Sequence, residues 1–263
     1  MTTIKIEAVN KVFPGEGGDV IALKDINLTI ASGEFICLLG PSGCGKSTLL
    51  NAIAGFSHPT SGAILAGDVR VTKPGPDRGM VFQEYALFPW MTIQQNIAFG
   101  LEIAGRSAPV IRERVDLLLN MLNLLEFRDR YPKDLSGGMR QRVAIARVLA
   151  LDSPIMLMDE PFGALDALTR RNLQDELLKI WKEFGTTIVF VTHSIEESIY
   201  LADRTIVMTY RPGTIKRDVA ITLDRPRDPS DPQFNRLKRE LGELVMAEQQ
   251  RHHQDEILAS TAD

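Results

Sequence analysis

Two kinds of hydrophobic pattern recur along the chain and predict strands of two kinds. Residues 4–7 and 26–30 alternate apolar with polar side chains, which predicts half-buried strands of an antiparallel sheet. Other runs are apolar throughout, which is typical of parallel strands covered on both faces. These runs lie at 35–39, 80–82, 155–158, 188–191 and 205–208. The pattern therefore predicts an α/β fold with an N-terminal antiparallel β subdomain beside a parallel core.

A helical period replaces the strand patterns over residues 90–153. Apolar side chains that recur every three or four positions predict one amphipathic helix, at Ile111, Val115, Leu118, Leu119, Leu122 and Leu125. Pro109 and Pro132 are expected to interrupt the helical segments. We therefore predict a helical subdomain inserted into the α/β core.

The chain is predicted to form one domain over residues 1–263. Its core and antiparallel subdomain comprise 1–90 and 153–223, and the helical lobe comprises 91–152. A loop rich in proline and charge opens the last segment, 224–263. A docked helix is predicted after that loop from apolar residues on one face, at Leu237, Leu241, Leu244 and Val245. A solvated helix without functional consequence fits the same residues.

Composition and charge narrow the class of protein. Hydrophobic residues make up 44% of the 263 residues and charged residues 24%, as in ordinary globular domains. The longest apolar runs are far shorter than the roughly 20 residues that span a bilayer, and residues 1–12 lack the apolar core of a signal peptide. Two cysteines allow no disulfide framework, which favours a reducing cytosol. The net charge of −4 disfavours a nucleic-acid partner.

A glycine-rich segment joins the apolar run 35–39 to a helical run at 49–54. It matches the phosphate-binding loop pattern in the required context, with the residues Gly40, Pro41, Ser42, Gly43, Cys44, Gly45, Lys46, Ser47 and Thr48. Backbone amides of such a loop converge on phosphate oxygens, and the helix N-terminus adds about half a positive charge. Lys46 is expected to reach the terminal phosphates and Ser47 to bind Mg²⁺. An ordinary glycine-rich turn is the alternative, and the dinucleotide fingerprint does not fit these glycines.

The cysteine inside this loop raises a separate question. Cys44 lies two positions from Lys46, and a nearby ammonium can make a thiol reactive. We therefore expect the Cys44 thiol to be reactive, and we expect bound ATP to cover it. A small loop residue buried from reagents is the alternative.

Two adjacent carboxylates follow another buried strand. Asp159 and Glu160 come directly after the apolar run 155–158. Beside a phosphate loop, Asp159 is predicted to contact Mg²⁺ through water, and Glu160 to polarise the water that attacks the terminal phosphate. An ordinary strand end is the alternative. Kinases, GTPases and motor proteins share both elements, so these residues leave the class open.

A second glycine-opened helix start distinguishes this chain from those classes. Within residues 135–141, Ser136 is a predicted N-cap, and Gly137 and Gly138 present backbone amides at the start of a helix. One chain seldom uses two such helix starts on the same nucleotide. We therefore predict that this one faces the ATP of a neighbouring chain. A flexible loop before a core helix is the alternative.

In these residues the chain resembles the ATPases of the ABC-transporter family, and the resemblance extends over nearly the whole chain in the family's order. The family signature usually reads Leu-Ser-Gly-Gly-Gln, whereas Met139 occupies the fifth position here. The serine and both glycines are kept. The resemblance implies a P-loop NTPase core of the RecA-like type, with ATP and Mg²⁺ as ligands. It also implies ATP hydrolysis coupled to solute translocation and pairing with a second copy of the ATPase subunit.

The resemblance implies roles for four residues outside these motifs. Gln83 corresponds to the family's lobe-linking glutamine and is expected to sense Mg²⁺ and the attacking water. Asp166 lies in the dimer-facing loop and is expected to couple the two sites, and His193 is expected to hydrogen-bond to the γ-phosphate. Phe13 is a candidate for stacking on adenine. Each residue also has an ordinary structural alternative. Gln83 would be a surface glutamine and Asp166 a helix cap. His193 would be a hydrogen-bonded polar residue, and Phe13 a core or edge-strand phenylalanine.

Two functional classes fit an ABC ATPase: a transporter subunit and a soluble ATPase acting on nucleic acid or ribosomes. The second class usually carries long coiled coils, zinc-binding cysteines or two ATPase domains, and this sequence has none of these. We therefore predict a transporter subunit at the cytoplasmic face of the inner or plasma membrane, with no nucleic-acid partner. An exporter subunit is the remaining alternative.

Three segments, at 76–83, 87–90 and 210–213, resemble the nitrate, sulfonate and taurine importer branch of the family. The resemblance implies transmembrane permease subunits as partners and an extracytoplasmic solute-binding protein as an indirect one. It implies a small anionic solute. The identity of that solute is left open, because specificity lies in the permease and the binding protein.

An aromatic-rich loop directly follows Gln83. The predicted permease contacts in this loop are Tyr85, Leu87, Phe88 and Trp90, and Pro89 opposes regular structure there. In the family, a groove at this place accepts a short cytoplasmic helix of the permease. A local plug of the core is the alternative.

Overall fold

The computed structural model describes residues 2–15 and 18–260, with side chains described as far as residue 252. The strands are β1 (Ile4–Phe13), β2 (Val20–Ile30), β3 (Phe35–Leu39), β4 (Ser61–Ala66), β5 (Val69–Arg70), β6 (Arg78–Val81), β7 (Ile155–Asp159), β8 (Thr187–Thr192), β9 (Arg204–Met208) and β10 (Ile215–Ala220). The helices are α1 (Lys46–Ala54), α2 (Ile93–Ile103), α3 (Ala108–Met121), α4 (Gly137–Leu149), α5 (Ala167–Phe184), α6 (Ile195–Leu201) and α7 (Pro232–Ser260). Short 3₁₀ turns lie at Leu125–Phe127 and Pro132–Asp134.

Backbone contacts divide the chain into two compact units, one of Met1–Pro74 with Thr187–Asp263 and one of Gly75–Thr186. The division falls at residues other than the predicted lobe limits of 91–152. Helices and 3₁₀ turns account for the regular structure of that segment. Its boundaries as an inserted lobe stay a prediction.

The first unit contains an antiparallel sheet in the order β2-β1-β4-β5. Ile4 of β1 pairs with Ile30 on one side and with Ala66 on the other. Apolar residues of β1 and β2 alternate with exposed polar ones, so one face of the sheet is buried. The predicted antiparallel subdomain is thus confirmed, with strands longer than the alternating runs.

A second sheet of the same unit is built around β3, which lies parallel to β8 on one side and to β9 on the other. All five residues of β3 are fully buried, as expected for a central parallel strand. The hydrophobic runs did not predict β10, which pairs antiparallel with β9 and whose central residues Lys216, Arg217 and Asp218 are polar. The carboxyl ends of β3 and β8 lie side by side, since Leu39 pairs with Thr192.

The second unit contains the parallel pair β6 and β7 together with α2 to α5. The amphipathic helix predicted in it exists as α3 but is shorter than its hydrophobic pattern. Pro109 lies in its first turn, where a missing N–H costs no hydrogen bond, so this proline starts the helix instead of interrupting it. The helix ends at Met121, and Leu125 begins a separate 3₁₀ turn.

The C-terminal helix α7 belongs to the first unit and packs within it. Phe234, Leu241 and Val245 are buried on one face, and Leu237 and Leu244 are half-buried. Among the described side chains, the helix therefore has one face buried against the rest of the unit, which favours the docked helix over the solvated one. Among the described residues, no helix has the length and apolar character needed to span a membrane.

Candidate functional site

The phosphate-loop pattern forms a tight turn between β3 and α1. Gly43 and Gly45 have φ of 77° and 96°, in the left-handed region that favours glycine. A side chain at position 45 would also collide with its surroundings, because a Cβ there would lie 2.7 Å from the Leu23 side chain and 2.9 Å from the Ala22 carbonyl oxygen. The glycines thus allow the backbone of the loop to turn into the first turn of α1.

Lys46 opens α1 and folds back over the loop. Its side chain is buried, with 5% exposed, and its Nζ donates to the carbonyl oxygens of Gly40 at 2.8 Å and Pro41 at 2.9 Å. The ammonium charge is therefore held beside the backbone of the phosphate loop. Ser47 is exposed and Thr48 is half-buried in the same helical turn.

The cysteine in the loop does not have the environment that we expect of a reactive thiol. Cys44 is fully buried. Burial raises the pKa of its thiol, although the nearby Lys46 acts in the opposite direction. The thiolate is thus disfavoured and shielded from solvent. Burial therefore favours the alternative of a small buried loop residue, and the reactivity of the thiol stays a prediction.

His193 lies at the same edge of the sheet as the phosphate loop. It is exposed and directly follows β8, whose last residue Thr192 pairs with Leu39 at the end of β3. The Thr192 hydroxyl donates to buried Glu197 at 2.5 Å, and Ser194 caps α6 by accepting a hydrogen bond from the Glu197 amide. The backbone on both sides of His193 is therefore anchored, and the side chain faces solvent.

Phe13 ends β1 beside the strand that contacts the phosphate loop. It pairs with Val20 at the start of β2, and Lys11 lies over its ring at 4.8 Å. Further along β2, the Leu23 side chain lies against the phosphate loop at Gly45. With 42% of its surface exposed, Phe13 is not a core residue. Its stacking on adenine stays a prediction.

In the second unit, the carboxyl ends of β6 and β7 bring three predicted site residues to one edge. Val81 pairs with Met158, so exposed Gln83 lies just after β6, half-buried Asp159 ends β7, and half-buried Glu160 follows it. Glu160 has a φ of 42°, which is rare for a residue with a side chain. Such strain is concentrated at functional sites and motivates a functional assignment here.

The signature segment begins α4 as predicted. Ser136 is the N-cap, and its Oγ accepts a hydrogen bond from the Met139 amide at 3.3 Å. A Cβ on Gly138 would lie 2.7 Å from the Thr169 side chain, and one on Gly137 would lie 3.2 Å from the Tyr85 hydroxyl. Glycine thus permits close packing at both positions, and Ser136 is exposed.

Asp166 has the helix-capping role that we gave as an alternative. It is the N-cap of α5, and its Oδ1 accepts a hydrogen bond from the Thr169 amide at 3.0 Å. This hydrogen bond lowers the pKa of the Asp166 carboxyl. Its additional role in coupling two sites stays a prediction.

The aromatic loop after Gln83 is strained and held by a helix. Tyr85 and Ala86 have φ of 62° and 46°, both in the left-handed region. Arg147 of α4 donates to the carbonyl oxygens of Ala86 at 2.7 Å and Tyr85 at 3.4 Å. Its guanidinium also lies over the Phe88 ring at 5.5 Å. The loop is therefore fixed to the same helix that begins with the signature.

An apolar groove of about 580 Å³ lies next to this loop, with Phe88, Phe99, Arg147 and Val148 in its walls. Phe88 packs against Phe99 with ring centroids 4.6 Å apart, so it is partly a local plug. Trp90 is 70% exposed, and Leu87 is half-buried. The loop therefore combines a packed aromatic residue with one displayed to solvent.

Two buried polar residues, Asn96 and Arg227, were not predicted from the sequence. Asn96 is fully buried in α2, and its side chain bonds to both the amide and the carbonyl of Phe88. A polar residue on an otherwise apolar helix face was the only signal for it. Arg227 is buried in the segment read as a loop and donates to carbonyl oxygens of Ile199, Ala202 and Leu223. Burial lowers the pKa of Arg227 to about 10, so it stays charged at neutral pH.

A buried strand leads into a glycine-rich turn, and the helix after the turn begins with a lysine that donates to the carbonyl oxygens of the turn. These elements define a P-loop NTPase. The family described as ABC transporter matches residues 23–163, which is more than half of the chain. The chain therefore belongs to the ABC transporter family of ATP-binding proteins, and it has the ATPase fold of that family.

Individual relatives agree with this membership. A nitrate import ATP-binding protein of Synechocystis is 48% identical over 237 residues, which are 90% of this chain and 89% of that protein. A taurine import ATP-binding protein of Roseobacter denitrificans is 44% identical over 253 residues, 93% of this chain and 94% of that protein. A solved dimeric ATP-binding cassette bound to ADP and phosphate is 35% identical, with a TM-score of 0.74 over 84% of this chain and 100% of that one.

Proposed function

We propose that this chain is the ATP-hydrolysing subunit of an ABC importer for a small anionic solute such as nitrate, a sulfonate or taurine. Two copies act together beneath separate permease subunits, at the cytoplasmic face of the membrane. The observation that carries the proposal is the pair of glycine-opened helix starts, one with Lys46 and one with Ser136. Similarity along almost the whole chain to ATP-binding proteins named for nitrate and taurine import supports the importer branch.

The residues of the first unit fit a nucleoside triphosphate with Mg²⁺. The phosphate loop offers backbone amides and the Lys46 ammonium to phosphate oxygens, and exposed Ser47 offers a hydroxyl oxygen. Hard oxygen donors of this kind are what Mg²⁺ prefers. In the second unit, the Asp159 carboxylate is a donor of the same kind, and its contact with Mg²⁺ through water is part of the proposal. Bound Mg²⁺ would neutralise charge that develops on the transferring phosphoryl group. His193 would hydrogen-bond to the γ-phosphate.

Water activation is assigned to residues of the second unit. Glu160 would accept a hydrogen bond from the attacking water and hold it in line, and Gln83 would contact the same water. The strained backbone at Glu160 and its position at a strand end support this role. Positioning and charge stabilisation supply most of the catalysis in phosphoryl transfer, so small displacements of these groups are expected to slow hydrolysis strongly.

The signature helix α4 would complete the site of the second copy. Exposed Ser136 and the amides of Gly137 and Gly138 present partial positive charge to the partner's γ-phosphate. The dimeric state of the solved cassette that resembles this chain supports such pairing. ATP would then close the dimer, hydrolysis would loosen it, and Asp166 would couple the two sites.

The groove beside the aromatic loop would accept a short cytoplasmic helix of the permease. Its apolar walls suit an amphipathic helix, and exposed Trp90 provides an aromatic anchor at its margin. Arg147 connects this loop to the helix that begins with Ser136. Closure of the ATP dimer would therefore move the permease contacts and change which side of the membrane the solute path faces.

Transport by the complete complex tests the proposal. The chain should co-purify with the permease subunits encoded beside it. Vesicles made with the ATPase on their outer face should move the solute in one direction only. An importer moves the solute from the vesicle lumen to the ATPase side, with ATP and the binding protein supplied. Transport in the opposite direction would instead show an exporter. Purification on nucleic acid or ribosomes would favour a soluble ATPase.

A further inference from the structure

The loop between β9 and β10 is a compact turn that no part of the proposed reaction uses. The Thr209 hydroxyl donates to the Pro212 carbonyl at 2.7 Å and accepts from the Thr214 amide at 2.8 Å. The Thr209 amide also donates to the Thr214 carbonyl at 3.0 Å. Residues 209–214, which we call the buttress loop, therefore hold their shape through their own hydrogen bonds.

The buttress loop packs directly on the phosphate loop. Gly213 is buried, and a Cβ there would lie only 2.3 Å from the carbonyl oxygen of Cys44. A Cβ on Gly43 would lie 3.5 Å from the Tyr210 ring. The Gly213 amide donates to the Ala22 carbonyl at 3.0 Å, on the strand that also contacts Gly45. The phosphate loop is thus confined between β2 and the buttress loop.

The C-terminal helix α7 holds the buttress loop from its other side. Glu248 is buried, and one carboxylate oxygen accepts a hydrogen bond from the Tyr210 amide at 3.0 Å. The other oxygen accepts from the Lys216 ammonium at 2.7 Å. The Tyr210 ring stacks on His252, with centroids 3.7 Å apart. One continuous set of contacts therefore joins α7 to the backbone at Gly43.

We propose that α7 and the buttress loop position the phosphate loop for nucleotide binding, with Glu248 and Gly213 as positioning residues. The Glu248 carboxylate accepts hydrogen bonds from both the Tyr210 amide and the Lys216 ammonium and so fixes Tyr210. The turn that follows, which ends at Gly213, fixes the carbonyl of Cys44. Phosphate recognition depends on converging backbone amides, so a small displacement of this loop weakens nucleotide affinity more than it changes the chemical step. This inference rests on the proposed function only in that the phosphate loop binds ATP.

Glu248→Ala in the full-length chain tests the first positioning residue. The affinity for a fluorescent ADP analogue should fall about fivefold, and the KM for ATP should rise by the same factor, while kcat at saturating Mg-ATP changes less than about twofold. Glu248→Gln should restore part of the affinity, because its single amide oxygen still accepts from the Tyr210 amide, although its NH₂ group cannot accept from Lys216. Lys238→Ala is the matched control, since Lys238 lies on the same helix as Glu248, is 50% exposed and pairs with Glu196 of α6.

Gly213→Ala tests the second positioning residue and does not depend on the folding of the Glu248 variant. It should weaken analogue binding at least as strongly, because the new methyl group must displace Cys44 or Gly213. Gly242→Ala in α7 is its control, since the nearest atom to a Cβ there is the Ile195 side chain at 3.9 Å. Thermal unfolding of every variant separates affinity from stability.

The results distinguish this inference from the proposed function. If Glu248→Ala and Gly213→Ala bind the analogue as tightly as their controls, α7 is only a structural anchor and the inference is overturned. If the unaltered chain itself does not bind the analogue, the assignment of the phosphate loop fails and both proposals fall. Weaker binding that Glu248→Gln partly restores supports positioning through the Tyr210 amide.

Discussion

At the scale of single residues, the assignment of Glu160 depends on the position of one carboxylate. Glu160 has a φ of 42°, a backbone conformation that costs about 1 kcal/mol or more. The Gly163 amide donates a hydrogen bond to the Glu160 carbonyl at 3.1 Å and helps to hold this conformation. A residue held in this way has little freedom to move away from its strand end. A change of Glu160 to glutamine therefore removes the charge of the side chain while it keeps the shape and position.

Glu160→Gln should preserve ATP binding and lower kcat by roughly a hundredfold or more, because it removes the charge that activates water but keeps the shape. Lys46→Ala should instead weaken nucleotide binding, because it removes the buried ammonium from the phosphate loop. Steady-state hydrolysis and equilibrium binding of a nucleotide analogue separate the two effects. Wild-type turnover of Glu160→Gln at saturating Mg-ATP would show that Glu160 is not the catalytic carboxylate.

At the scale of elements, the aromatic loop contains two residues with different surroundings. Phe88 packs between Phe99, Trp90 and the Arg147 guanidinium, whereas Trp90 displays 70% of its surface. The alternatives of a core plug and a permease contact therefore apply to different side chains of one loop. Substitution of each side chain should have a different consequence.

Trp90→Ala should leave the stability of the isolated chain within about 0.5 kcal/mol, because the side chain is mainly exposed. It should weaken permease association by about 2 kcal/mol or more, since aromatic anchors often dominate interfaces. Phe88→Ala should also lower stability, by about 2 kcal/mol, because it removes packing against Phe99. Co-purification with the permease, solute uptake and chemical unfolding measure these effects. Undiminished association and uptake of the double variant would show that the loop only packs locally.

The structure of α3 and α7 shows where element prediction succeeded. The apolar period predicted both helices, because periodic burial against one neighbour is a local property of the sequence. Their ends were less predictable, since Pro109 is compatible with both a break and a first turn. The docked face of α7 also includes Glu248, a charge that an apolar pattern excludes. Its burial is compensated by hydrogen bonds from Lys216 and the Tyr210 amide, which are distant along the chain.

At the scale of the whole molecule, the proposed ATP site needs two copies of the chain. Lys46 of one copy and Ser136 of the other would share a nucleotide, so each dimer would have two composite sites. A heterodimer of one Lys46→Ala chain and one Ser136→Arg chain then has both lesions in the same site. The other site contains neither lesion.

This heterodimer should hydrolyse ATP at a substantial fraction of the wild-type rate, whereas both mutant homodimers should be inactive. Differently tagged chains allow the heterodimer to be purified, and Mg-ATP turnover measures the result. Sites contained within single chains would give the opposite outcome, because every site would then hold one lesion and the heterodimer would be inactive. Cross-linking from Ser136 that reaches only the γ-phosphate of its own chain would also contradict the composite site.

The sequence by itself determined the phosphate loop, the Ser136 helix start and the class of protein. These features are local: glycines permit the turn, a strand precedes it, a helix follows, and their spacing is read directly along the chain. Met139 in the signature did not alter the N-cap, because that cap uses the Met139 amide and not its side chain.

Only the tertiary structure decided the environment of individual side chains. Cys44 lies two positions from Lys46 in sequence, yet its thiol is buried and its pKa is raised, because the packing of distant segments excludes water from it. Gly213 and Glu248 lie far from the phosphate loop along the chain but act on it through one loop. Local periodicity contains no information about such pairings, because they arise when strands and helices that are distant in sequence pack together.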